Sequence, residues 1–231
     1  MLQPISLKTG LLTFTMLAIA SLTSGFLTAC SSTRQSQNQT PNTTATNASG
    51  KQGIERSNGM NHSMAMNLGA ADANYDLRFI DAMILHHQGA VEMAKAAQQK
   101  SQRPEIKQLA DNIIKSQNQE IAQMQQWRQA WYPQAGQLMA YNTSQGQMMQ
   151  MSSEQMQSMK MNKDLGAADK QFDLRFINAM IPHHQGAVTM AEDALSKSQR
   201  PEIKQLAQEI VKAQKAEIQQ MQQWRQAWYK K

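Results

Sequence analysis

The sequence predicts an all-α fold, a four-helix bundle built from two duplicated helical hairpins. Three observations lead there. Residues 76–132 align with 173–229 without a gap and differ at 14 of 57 positions, which marks the duplication of one structural unit. Within each copy apolar residues recur at helical spacing. A proline near the middle of each copy, Pro104 and Pro201, follows a short polar turn and suits the first position of a second helix.

Residues 1–29 read as an export signal of the lipoprotein type. Lys8 supplies positive charge, Leu11 to Leu27 is largely apolar, and the stretch ends in Leu27-Thr28-Ala29-Cys30. Cys30 is the single cysteine of the chain and stands where lipid attachment requires one. No intrachain disulfide can form, and thiolate is removed from the possible metal ligands of the folded part.

Residues 30–66 form a polar tether. The Ser, Thr, Asn, Gln and Gly of 31–58 cannot bury enough apolar surface to offset their ordering entropy. The tether ends in a cluster, Met60, His62, Met64 and Met66, separated by small or polar residues. Thioether and imidazole both suit monovalent copper, so the cluster is a candidate accessory metal clip; chance alternation is the plainer reading.

The first hairpin occupies 67–132. Its first helix is expected over about Asp72 to Lys100, with Phe79, Met83, His86, His87, Ala90, Met93, Ala94 and Ala97 on the inner face and Arg78, Asp81, Gln88, Glu92 and Lys95 on the outer one. Its second helix is expected to run from Pro104 to about Tyr132. Gln117 and Glu120 interrupt the apolar stripe of this helix, and a hairpin turning near Gln102 sets them across from His86 and His87. Buried polar groups need partners, and the spacing supplies them. The second hairpin, 164–231, repeats these features as Met180, His183, His184, Gln214 and Glu217. It adds Pro182, which removes a backbone bond and should kink the helix. Two packings stay open: one four-helix bundle, or two bundles each completed by other segments. The connector, 133–163, is rich in methionine and reads either as a packing helix or as a metal-attracting linker.

Composition narrows the chemistry. The net charge of +6 is spread without basic runs, which argues against a nucleic-acid surface. No Glu-x-x-His pair, His-Glu-x-x-His or paired cysteines occur, so di-iron and zinc constellations lack their ligands. Methionine is abundant, with 18 residues, and histidine scarce, with five. Neutral imidazole with thioether is a soft donor set that fits Cu(I). Met83 lies at i−3 from His86 and i−4 from His87 and can reach either, while Gln117 and Glu120 could orient an imidazole through its other nitrogen. Imidazole must be neutral to bind, so affinity should fall below about pH 6. The plainer alternative is a structural or interaction lipoprotein whose buried polar network carries no metal. A ferritin-like metal oxidase is a weaker one.

The run Asp-x-x-Phe-x-x-x-Met-Ile-Pro-His-His-Gln-Gly-Ala-Val at 173–188 resembles the signature of the CopM-type family of exported copper metallochaperones. The resemblance covers both repeats. It implies a four-helix bundle that buries Cu(I), or Ag(I) as its surrogate, at the consecutive histidines, and a role in copper tolerance, sequestration or hand-over without catalytic turnover. By position it points to His86, His87 and Met83, and to His183, His184 and Met180. The first copy departs from the pattern at Leu85, where the family has proline. The expected setting is a periplasmic or membrane-anchored lipoprotein, held to the membrane by its lipid alone. The expected partners are the copper ion and a copper efflux or sensor protein, with no nucleic acid.

Overall fold

A computed structural model describes residues 66–230. The stretch expected as an export signal, Cys30, most of the expected tether and the residues Met60, His62 and Met64 lie outside the described residues. The element order is α1 (Tyr75–Lys100), α2 (Pro104–Trp131), β1 (Met139–Asn142), β2 (Gln147–Gln150), α3 (Ser153–Lys160), α4 (Phe172–Lys197) and α5 (Pro201–Tyr229). Among the described residues the protein is all-α apart from one two-stranded antiparallel hairpin in the connector. None of the described helices is long and apolar enough to cross a membrane.

α1 starts at Tyr75, later than the periodicity suggests, because residues 70–74 are taken up by turns. Asp72 Oδ1 accepts the Asn74 amide, an Asx-type turn that competes with helix. Arg78 then ties the incoming segment down: its Nε donates to the Leu68 carbonyl at 2.7 Å and its Nη2 to that of Ala70 at 2.8 Å. The second copy repeats the device with Arg175 and the carbonyls of Leu165 and Ala167. Each hairpin turns over three residues, and Pro104 and Pro201 open the second helices as expected. α4 stays helical through Pro182, whose side is exposed.

The two hairpins pack as one four-helix bundle along α1 and α4. They run antiparallel: Arg200, in the turn of the second hairpin, stacks 4.1 Å over Trp131 at the far end of α2, and Arg103 stacks 4.0 Å over Trp228. The apolar interior is therefore two clusters rather than one. The first joins Phe79, Ile80, Met83 and Met124 to Met190, Ala194, Ile203 and Ile210. The second joins their repeat-mates, Phe176, Ile177, Met180 and Met221, to Met93, Ala97, Ile106 and Ile113. The histidine pairs fall between them.

The connector breaks the symmetry. It forms the β1–β2 hairpin and α3, so Met148 lies on a strand while Met156 and Met159 lie on a helix. Gly146 turns the hairpin at φ +65°, a conformation glycine adopts without strain. A capping box, Ser152 with Gln155, starts α3. This layer packs mainly on α1 of the first hairpin, and Arg78 and Asp81, expected on the outer face, are buried. Asp81 accepts from the Arg128 guanidinium and from the Met139 amide. In the second copy Asn178 stands in its place, exposed and bonded to Arg225.

Gly89 marks where the connector presses hardest on α1: a Cβ there would lie 1.8 Å from the Lys160 carbonyl oxygen. Gly89→Ala is expected to cost ~1–3 kcal/mol through overpacking. Gly136→Ala, with nothing within 4 Å of the added carbon, should stay within ~0.5 kcal/mol. Urea denaturation of the two variants measures the difference.

Candidate metal centre

The four paired histidines are all buried and form one layer at the middle of the bundle. His86 of α1 and His183 of α4 are repeat-mates, and they meet across the hairpin interface with ring centroids 3.9 Å apart and planes tilted by 47°. His183 and its neighbour His184 lie 6.3 Å apart, edge to face. The sequence points to one site per copy; the antiparallel packing instead brings both copies to a common centre.

Each outer imidazole is held by its own hairpin. His87 Nε2 donates to Glu120 Oε2 at 2.6 Å, and His184 Nε2 to Glu217 Oε2 at 2.6 Å. The hairpin register thus sets Glu120 rather than Gln117 against His87. His183 Nε2 donates to the backbone carbonyl of Lys160 at 3.0 Å. A carbonyl can only accept, and so can an ionised carboxylate, so in all three rings Nε2 carries the proton. In a neutral ring the other nitrogen is a bare lone pair. Among the described residues Nδ1 of His87, His183 and His184 has no hydrogen-bond partner, although each is buried. Gln117 and Gln214 are buried beside this layer in sequence register, with Oε1 atoms also lacking partners.

His86 is enclosed from the other side. At Gly186 an added Cβ would lie 2.9 Å from His86 Nε2 and 3.4 Å from Met66 Sδ. The Met66 thioether and the His86 imidazole therefore converge over the α4 backbone. Of the accessory candidates Met66 is the one in the described residues, and it sits at the layer. Met83 and Met180 are fully buried but belong to opposite apolar clusters, on either side of the layer. Sequence reading missed the Lys160 carbonyl and the two glycines. Their signal was the His-His-Gln-Gly repeat: a glycine three or two residues after the histidines leaves room for a backbone or a side chain to approach.

No three His, Cys, Asp or Glu side chains among the described residues converge as a ready-made cage. What the layer offers is the unpartnered Nδ1 atoms of His87, His183 and His184, with a thioether nearby. Such a set fits a soft ion of low coordination number better than a four-ligand zinc or an oxygen-ligated hard cation. Carboxylates on the remote nitrogens of His87 and His184 fix ring orientation and raise basicity, as is usual behind ligating histidines.

With this geometry in hand, the comparisons with known proteins decide the family. The family described as "Domain of unknown function (DUF305)" matches residues 24–128 and 76–225. The chain belongs to the DUF305 family. Solved structures similar to this DUF305 chain include CopM in the Cu(I)-bound form, 39% identical, covering 67% of this chain and 98% of that one with a TM-score of 0.53. CopM in an Ag-bound form gives the same values. CopM in the Cu(II)-bound form is 41% identical, covering 67% of this chain and 97% of that one, with a TM-score of 0.54. An uncharacterized protein of Acanthamoeba polyphaga mimivirus is 43% identical over 49 residues, 21% of this chain; the chain spans 32% of the length of that curated relative.

Burial, followed by the charges that His184 and His87 can carry, pushes the His183 pKa down to about 3 from an ordinary value of 6.5. Its lone pair therefore stays available well below the pH 6 expected from an ordinary imidazole. The same shift governs stability. Between pH 6.5 and about 3 the unfolded chain takes up a proton that folded His183 refuses. Its contribution to stability is complete above that window and is lost as pH falls through it. Urea midpoints at pH 7 and pH 5 should reveal a loss of ~2 kcal/mol in the metal-free protein from this group. His183→Gln should remove that part of the pH dependence.

Proposed function

We propose that the chain binds monovalent copper in the buried histidine layer, for tolerance, sequestration or hand-over, without catalytic turnover. One observation carries the reading: three buried imidazoles keep Nδ1 lone pairs without a protein partner while acceptors hold the opposite nitrogens. A network serving the fold alone would satisfy both nitrogens, because an unpartnered buried polar atom costs about 1–3 kcal/mol. Similarity to CopM, solved with Cu(I) and with silver, supports the choice of metal. The ligands in this reading are His86, His87, His183 and His184, with Met66 closing the site on the His86 side and Glu120 and Glu217 orienting the outer rings. Met83 and Met180, buried in the apolar clusters on either side of the layer, are the thioether helpers of this reading.

The wider setting belongs to the same proposal. An export leader over 1–29 and lipid attachment at Cys30 would place the bundle outside the cytoplasm on a tether reaching to residue 66. Met60, His62 and Met64 would then be the first soft donors a cuprous ion meets, and a copper efflux or sensor protein would be the recipient.

Titration of the purified protein with Cu(I) under reducing conditions, against a chromophoric Cu(I) chelator, tests the reading. The wild type should hold copper against the chelator. The variant with all four histidines changed to Gln should release it while keeping its helical circular dichroism. Glu120→Ala should weaken binding about 10–100-fold, the usual cost of losing a group that orients a ligating histidine. Weak binding that is unchanged in the four-histidine variant would reject the proposal.

A further inference from the structure

The connector builds a second chamber beside the histidine layer. A pocket of about 430 Å³ lies between the β1–β2 hairpin, α3 and residues 67–68. Met139, Met149, Met151 and Met159 line it, and no histidine or cysteine does. Met151 and Met159 are buried, whereas Met139 and Met149 are half-buried at the opening. Gln155 Nε2 donates to Met149 Sδ at 4.0 Å. Gln155 is itself a lining residue. The single charged lining residue is acidic, Glu154, which favours a cation.

Methionine can serve merely as an adaptable filler. Two features separate this pocket from that use. All four methionines come from the connector, the part of the chain with no repeat-mate. Met151 and Met159 belong to the first apolar cluster and yet, with Met139 and Met149, border open volume. Three or four thioethers without thiolate form a neutral, soft donor set, the class that selects Cu(I) over harder cations.

The walls of the pocket lead to the buried layer. Met159 is followed by Lys160, whose carbonyl holds His183. Leu68, another lining residue, is two residues from Met66, whose sulfur converges with His86 over Gly186. We infer that this methionine pocket is a second site for a monovalent soft cation, with the thioethers of Met149, Met151 and Met159 as donors, and that it feeds the histidine layer past Met66. The feeding step rests on the proposed function; the site itself does not. Transfer is ligand exchange of a cation between neutral donors, with no change of oxidation state.

The full chain labelled with [13C-methyl]methionine and titrated with Ag(I) tests the assignment by NMR, each resonance being identified by its Met→Leu variant. The methyl signals of Met149, Met151 and Met159 should shift and saturate in the wild type. They should do so equally in the variant with all four paired histidines changed to Gln, so failure of the histidine site leaves this result readable. The triple variant Met149→Leu, Met151→Leu, Met159→Leu keeps side-chain volume, so it should melt normally and bind one fewer silver equivalent. Silver binding that leaves these methyls unmoved, or an unchanged stoichiometry in the triple Leu variant, would overturn the site. Met66→Leu should leave the pocket signals intact and slow the filling of the histidine layer. An unchanged filling rate would overturn the feeding step alone.

Discussion

A plane of imidazoles across an apolar bundle is the constraint on which the rest of the architecture depends. Four buried histidines between two hydrocarbon clusters are tolerable only where acceptors are built in beside them. Each hairpin supplies a carboxylate from its second helix, Glu120 or Glu217. The segment that precedes the second hairpin supplies the Lys160 carbonyl for His183, and Met66, before the first hairpin, packs beside His86 over Gly186. Gly89 and Gly186 are the places where those segments reach in, which ties the His-His-Gln-Gly motif to packing as well as to the proposed ligation. The two cation–π contacts between each turn and the far tryptophan pair then lock the antiparallel arrangement that brings the layer together.

Duplication explains the economy of the site, and divergence explains its asymmetry. Repeat-mates meet at the centre, as His86 and His183 do, so one motif written twice furnishes both sides of a single layer. The connector packs mainly on the first hairpin. Asp81 has become a buried anchor there, its pKa raised by burial against the opposing pull of Arg128 and the Met139 amide. Its mate Asn178 stays at the surface. The same one-sided layer gives His183 a backbone acceptor and His86 a thioether neighbour, so the two halves of the centre differ chemically.

Much of this was legible in the sequence. The gapless repeat, the helical spacing and the prolines at 104 and 201 carried the hairpins, and the interrupted stripe at Gln117 and Glu120 carried the polar layer to within a turn. Three things were not legible, each because it depends on distance between segments remote in sequence. Periodicity within one copy cannot reveal that two hairpins pack antiparallel, so the merging of two sites into one layer was hidden. Asp81 and Arg78 looked outward because nothing local announces a covering β-hairpin. The hairpin itself was obscured by methionines that fit a helix face as well as a strand, although Ser152 and Gln155 did carry the signature of a helix start. Pro182, which promised interruption, sits on the exposed side of α4 and leaves the helix span intact.

The central claim is that Nδ1 of His87, His183 and His184 offers the proposed metal its open donors. Nitrogen-15 NMR of the imidazoles, in the metal-free protein and after loading with silver, addresses it directly. The account predicts Nε2-protonated tautomers for His87, His183 and His184 before loading, and nitrogen–silver coupling at Nδ1 in the layer afterwards. Protonated Nδ1 atoms in the metal-free protein, or silver bound with every layer imidazole unchanged, would contradict it.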